Sequence, residues 1–241
     1  MKVALITGGQ PRFTPDFLKV LSQLKGFDSA DLYLNLWESP WALGSEQGVA
    51  KLHKILPPHI NLKRLQILKE PERQLNSTAT NFSELKWWYD RRIGQIHSLK
   101  LAFDLINEDY DVIVRFRPDG SLTSDLDIST LDVASKEVIF CDQLMGVNRT
   151  EPNDQVFVGT QGGIGFLCNL YNEFDKCMIE SCPDWENDVH RWALEYIIGT
   201  YFKLNNKPIH RGSFNYIINS QGKSAYTDKH HHVSIAPDPT E

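Results

Sequence analysis

The sequence predicts an α/β fold, with a mostly parallel central sheet flanked by helices in a single domain. Three observations carry that expectation. Short apolar runs rich in branched and aromatic residues recur at Lys2–Thr7, Asp31–Trp37, Leu62–Leu68 and Asp111–Arg117, the mark of buried strands. Segments with apolar residues at helical spacing separate these runs, and strands joined by helices pair in parallel through right-handed crossovers. The length of 241 residues suits one domain with a core and a cleft, since single α/β domains often reach about 250 residues.

Each element follows from local pattern. The first strand, Lys2–Thr7, stops at the flexible pair Gly8-Gly9. Phe17, Leu18, Leu21 and Leu24 then recur at helical spacing. Asp31–Trp37 is the second strand, Glu46–Leu56 a helix ended by Pro57-Pro58, and Leu62–Leu68 the third strand. Lys69–Ser83 is polar and aperiodic, a long loop of the kind that often serves as a lid. Glu84–Asn107 reads as a helix with Gln95, Ser98, Leu99, Ala102, Phe103 and Ile106 on one stripe, and Asp111–Arg117 follows as the fourth strand. Strands are expected at Glu137–Cys141 and Gln155–Val158, helices at Gly163–Ile179 and Asn187–Leu204, and an extended segment at Pro208–Ile218. Asn205–Tyr216 is a candidate edge strand.

Composition narrows the function. Apolar residues at 41% and charged residues at 23% are ordinary for a soluble globular protein. A formal charge of −6 argues against a general nucleic-acid binder, which needs a basic face. Cys141, Cys168, Cys177 and Cys182 form no C-x-x-C pair, which argues against a zinc knuckle or a thioredoxin motif. They are too few for a disulfide scaffold and are expected reduced and partly buried, in the cytoplasm. The opening apolar run is too short for a signal peptide. No stretch approaches the roughly 18 apolar residues of a membrane span, which leaves peripheral membrane contact open.

In sheets of this type ligands bind beyond the carboxyl ends of the strands. Gly8, Gly9, Gln10 and Arg12 follow the first strand, Trp37 and Glu38 the second, and Arg117, Pro118 and Asp119 the fourth. The helix before the fourth strand runs back, so its beginning, with Tyr89, Arg91, Arg92 and Gln95, lies on the same edge. Arginine offers a planar fork that matches a diphosphate. Arg115 and Arg117 share one strand face, and two guanidiniums there need an anion or a carboxylate between them. Asp119 is a carboxylate beside a glycine turn. It can reach a hard divalent cation, pair with the arginines, or cap the turn. The D-x-D at Asp125 and Asp127 reads as a solvated turn. Gly8–Arg12 lacks the G-x-G-x-x-G spacing, which argues against a dinucleotide site. Asp154 is a candidate base or a turn former, and Glu195 a candidate base or a solvated helix residue. His210 is a metal ligand or a polar strand residue, and Trp87 and Trp88 are stacking platforms or core.

Taken together, these motifs carry a resemblance. The stretch Ile6–Phe13 (ITGGQPRF) looks like the S/T-G-Q-x-R opening of a family of bacterial and viral polysaccharide-related glycosyltransferases. Gln95–Lys100 and Tyr110–Asp119 (YDVIVRFRPD) resemble its Q-x-x-S helix and R-x-R-x-D strand, and Asn153–Gly159 is similar to its D-Q-hydrophobic-G segment. The resemblance covers about residues 1–165. It implies a GT-A-like (Rossmann-like) fold, a nucleotide-sugar donor, and a glycan or lipid-linked acceptor in capsule or lipopolysaccharide assembly. It implies a donor side made of Gly8, Gln10, Arg12, Gln95, Ser98, Arg115, Arg117 and Asp119, with Thr7, Gly9 and Arg92 beside them, and it puts Asp154 near the acceptor. Residues 1–120 would then form the nucleotide-sugar half and 121–241 the acceptor half. Enzymes of this kind usually carry D-x-D at the end of the fourth strand, and here Arg117 stands in its first place. A divalent cation (Mn or Mg) on Asp119 and His210 is one expectation. Neutralisation of the leaving diphosphate by Arg117 alone is the other. Two further readings remain, a nucleotidyltransferase and a non-catalytic glycan-binding protein. The first wants a fuller glycine-rich phosphate loop than Gly8–Arg12, and the second has little use for paired guanidiniums.

Overall fold

A computed structural model describes residues 1–9, 15–37, 52–69, 73–118, 120–142, 152, 154–187 and 193–218. Among them the strands are β1 (Val3–Gly9), β2 (Leu24–Lys25), β3 (Ala30–Trp37), β4 (Ile60–Leu68), β5 (Val112–Phe116), β6 (Gly120–Leu122), β7 (Leu126–Asp127), β8 (Val138–Asp142), β9 (Val156–Gly159) and β10 (His210–Ile218). The helices are α1 (Pro15–Gln23), α2 (Phe82–Asp104), α3 (Val133–Lys136), α4 (Gln161–Ser181) and α5 (Leu194–Leu204). Eight strands form one sheet in the order β4-β3-β1-β5-β9-β8-β10-β6, and β2 pairs with β7 apart from it.

The sheet is mostly parallel, as expected. β4, β3, β1 and β5 run together, as do β8 and β10. Two strands oppose them. β9 lies antiparallel between β5 and β8, and β6 lies antiparallel on β10. β10 is therefore an interior strand, flanked by β8 and β6, and the expected edge strand at Asn205–Tyr216 is corrected. Its apolar face explains the change, since Phe214 and Tyr216 are buried in the core.

Both faces of the sheet are covered. Ala4 and Ile6 of β1 pack with α2, α4 and α5, whereas Val3 and Leu5 pack with Phe17, Val20 and Leu21 of α1 on the other side. This period-two split within an unbroken apolar run is what a strand buried on both faces requires. All four cysteines are buried and outside any disulfide. No helix among the described residues is long and apolar enough to cross a membrane.

Helix α2 fixes the shape of the carboxyl edge. Its backbone is pressed onto β1 at Gly8, where a Cβ would stand 2.6 Å from the Ser98 carbonyl oxygen. One turn earlier Gly94 receives the Trp37 ring, 2.9 Å from where a Cβ would be. Gly94 therefore marks the end of the sheet. The helix begins at Phe82, so its first turns project about 18 Å further at 1.5 Å per residue. Tyr89, placed with the rim residues by sequence, instead turns into the core. Its hydroxyl donates to Asp175 at 2.7 Å and its ring meets Phe174 edge-on. Residues 73–79 carry no regular structure, as expected, and are tied to α4 and the turn after it: Arg73 donates to the Tyr171 carbonyl at 3.3 Å, and Ser77 to Glu186 at 2.7 Å.

Candidate functional site

The carboxyl edge gathers side chains from several elements. β1 ends there at Gly8 and Gly9, β5 runs into Arg117 and Pro118, and α2 overhangs it. β9, being antiparallel, begins there, because Val156 pairs with Phe116 at the end of β5. That reversal brings Asp154 to the same rim. α5 returns toward the amino edge, so its first turn brings in Glu195.

Arg92, Arg117, Asp154 and Glu195 interact electrostatically across this rim. Burial first, and the Asp154 charge second, raise the Glu195 carboxyl to about 7 against the opposing pull of Arg92 and Arg117. Burial lowers the pKa of the Arg92 guanidinium, against the pull of Asp154 and Glu195, yet arginine stays charged. Among the described residues no hydrogen bond or close ion pair joins Arg92 to either acid, and its buried Nε has no hydrogen-bond partner. Its guanidinium lies over the Trp88 ring, 5.1 Å from the centroid. Buried charges are normally paired directly. Here Arg92 faces Asp154 and Glu195 without a direct bond to either.

Other buried polar atoms without a hydrogen-bond partner share this end of the sheet: Thr7 Oγ1, Asn35 Oδ1, Trp37 Nε1, Gln95 Oε1 and Asn215 Oδ1. Native proteins keep few such atoms, and their concentration at one edge suits a polar ligand.

Several expected site residues have other tasks. Arg115 is only 8% exposed. Its Nη1 donates to the main-chain carbonyls of Asp154 and Gln155, the latter at 2.8 Å, and its guanidinium lies over the Phe157 ring. It clamps the start of β9 and so positions Asp154. Gly8 and Ser98 serve the contact of α2 with β1, with the Ser98 hydroxyl donating to the Gln95 carbonyl at 2.9 Å. Gly9 takes a positive φ of 101°, which ends the strand in a turn. Thr7 belongs to the face opposite α2 by strand alternation. Gln10, Arg12 and Asp119 lie outside the described residues.

His210 does not join the rim. It opens β10 beside Ile139, whereas Gly120, the neighbour of Asp119, pairs with Ile218 at the far end of the same strand. That separation is about 26 Å at 3.3 Å per residue, so His210 stands at the opposite edge of the sheet from the rim. His210 instead lines a cavity of about 180 Å³ at the amino edge, with Lys136, Glu137, Phe166, Phe202 and Lys207. Among the described residues no group of three or more His, Cys, Asp or Glu side chains is placed to hold a metal ion. Asp125 and Asp127 are both exposed, as expected, but they flank a short strand rather than a turn, Asp127 being the last residue of β7. Asp127 accepts from the Ser129 amide at 3.0 Å and caps a single 3₁₀ turn, Ile128–Thr130.

Sequence reasoning missed Asn35 and Asn215. Asn35 left a signal, an amide within the apolar run Asp31–Trp37. Asn215 left none, because its place depends on β10 entering the sheet interior. The chain matches no protein-family model and none of the curated proteins compared with it.

Proposed function

We propose that this protein is a glycosyltransferase of GT-A-like fold. It moves a sugar from a nucleotide-sugar donor to a glycan or lipid-linked acceptor, in a reducing compartment such as the cytoplasm. The observation that carries the reading is the convergence of Arg92, Arg117, Asp154 and Glu195 on the carboxyl rim. The sheet order adds support. β3 and β4 lie on one side of β1 and β5 on the other, and α/β sheets bind ligands where the order reverses in this way.

In the proposed reaction an acceptor hydroxyl attacks the anomeric carbon of the donor sugar. The bond from that carbon to the diphosphate oxygen breaks, and the nucleoside diphosphate leaves with the electron pair. Arg117, with Arg92 behind it, stabilises the charge that grows on the leaving group. Glu195 takes the proton of the attacking hydroxyl. A carboxylate poised near 7 is suited to that role, since a base works best when its pKa lies near the working pH. Arg115 acts through Asp154 by holding the backbone that carries it. No step is assigned to a cation, since His210 opens β10 at the edge of the sheet opposite Arg117 and Asp154.

The test is a thermal-shift panel of UDP-, GDP-, dTDP- and CMP-sugars, with and without Mn²⁺ or Mg²⁺, on wild type, Arg117→Ala and Asp119→Ala. A ligand that binds the native state raises the melting temperature by mass action. A shift with one nucleotide-sugar that is lost in Arg117→Ala is the expected result. A shift lost only in Asp119→Ala and dependent on metal would move the diphosphate to a cation. No shift with any nucleotide would overturn the transferase.

A further inference from the structure

The cavity at the amino edge of the sheet plays no part in the rim chemistry. It lies where α3 hands over to β8 and where the chain passes from α5 to β10. Its inner wall is apolar. Phe166 of α4 and Phe202 of α5 meet edge to face there, 5.3 Å between ring centroids, beside Val138 at the start of β8. Phe202 and Val138 are buried and Phe166 is half-buried. The mouth carries Lys136, Glu137, Lys207 and His210.

Two of these side chains neutralise each other. Lys207 Nζ lies 2.6 Å from a Glu137 carboxylate oxygen and 5.6 Å from the centroid of the Phe166 ring. Glu137 is held in a strained place, with a φ of 58°, in the left-handed region that few non-glycine residues adopt. Its surroundings impose this. The Glu137 carbonyl accepts from the Thr160 amide at 2.8 Å and stands 2.4 Å from where a Cβ on Gly163 would be, so α4 starts hard against it. Strain of this kind persists only where the fold over-determines it, and it gathers beside ligand sites. Lys136 and His210 are different. Among the described residues neither makes a side-chain hydrogen bond or ion pair, and both act on the Asp132 carboxylate only through space. Asp132 is exposed, where water screens its charge, and it accepts the Ser135 hydroxyl.

We propose that this cavity binds a small aromatic carboxylate, with its ring against Phe166 and Phe202 and its carboxylate at Lys136 and His210. Size, shape and charge agree. The volume is about 180 Å³, and an apolar cavity of about 150 Å³ is enough for benzene, so a single ring fills it. Two phenyl rings already set edge to face offer a third ring the geometry that aromatic groups prefer. An ammonium and an imidazole N–H both donate to a carboxylate, and bonds to an ionised group are the stronger ones. A cationic ligand would have to displace Lys207 from Glu137. The cavity stands at the edge opposite Arg117 and Asp154, so the proposal is independent of the transferase reading.

Ligand-observed NMR titrations of the full chain test this with benzoate, benzyl alcohol and acetate. Benzoate joins a ring to a carboxylate, and each of the other probes lacks one of the two. Benzoate is expected to bind at about 1 mM or tighter, and about tenfold more tightly than either partial probe. Lys136→Gln should reduce benzoate to the level of benzyl alcohol. Phe166→Leu should weaken benzoate and benzyl alcohol together by about threefold or more, the size of an aromatic contact. Circular dichroism checks that both variants fold, and the half-exposed Lys136 keeps the test valid if Phe166→Leu is destabilised. Benzoate binding no tighter than benzyl alcohol would leave only an apolar hole. Binding no tighter than acetate would mean a general attraction of anions to the surface. Either result overturns the proposal, as does no benzoate binding up to about 10 mM or a benzoate titration unchanged in Lys136→Gln.

Discussion

Glu195 links folding to pH. Its carboxyl is raised from 4.5 to about 7, mainly by burial, so ionising it in the native state opposes folding. The associated stability is fully present below about pH 4.5 and is lost as the pH climbs to about 7. Glutamine at this position carries no charge to bury. Glu195→Gln should therefore be more stable than wild type by about 3 kcal/mol well above pH 7 and equal to it near pH 4. Urea denaturation at both pH values checks this, and a variant less stable at pH 8 would contradict the burial argument. The same substitution should cut turnover by about 10²–10⁴-fold and remove the rise in rate near pH 7, as loss of a general base requires. Arg115 teaches the opposite lesson. Its residue type pointed to an anion, but its burial and its bonds to two carbonyls make it a support for Asp154. Side-chain type and strand parity were visible in sequence. The partner strand that supplies those carbonyls was not.

At the level of elements, the contact of α2 with β1 is the tightest helix-to-strand constraint at the site. Gly8→Ala places a methyl group 2.6 Å from the Ser98 carbonyl oxygen, which belongs to the helix backbone and has no rotamer to move. The helix must lift, and overpacking of this kind costs about 1–3 kcal/mol. A lower urea midpoint with unchanged slope is the expected outcome, whereas an unchanged midpoint would mean that α2 and β1 have slack between them. The central strands were legible because branched and aromatic residues ran unbroken between turn formers, and β1, β3, β4 and β5 fall within two residues of their expected bounds. α5 was less so. It begins at Leu194 rather than Asn187, and Asn187 stays in a turn, its amide bonded to the Asp184 carbonyl at 3.0 Å. The direction of β9 was not legible at all. A four-residue apolar strand carries no mark of orientation. Strand order is set by which faces must be covered, and that is decided across the whole chain. Asp154 was thus a sound candidate whose route to the rim could not be seen.

For the molecule as a whole, the two sequence halves share one sheet. β5 from the first half pairs with β9 from the second, and β6, which follows β5 in the chain, closes on β10 near the other end. The rim is shared in the same way, with Arg92 and Arg117 from one half and Asp154 and Glu195 from the other. Neither half can keep its strands paired alone, so heat or urea should unfold the chain in a single cooperative transition, coincident by circular dichroism and tryptophan fluorescence. Two separated transitions would show that the halves are independent. The buried cysteines extend this point to chemistry. Cys141, Cys168, Cys177 and Cys182 all fall in the second half, and burial pushes the Cys141 thiol up to about 12 and that of Cys177 to about 11. Alkylating reagents attack the thiolate, so each sulfur stays silent until its surroundings open. The chain thus carries a built-in clock. Four sulfurs labelled in step would time the opening of the entire sheet, and one labelled ahead of the rest would name the segment that loosens first.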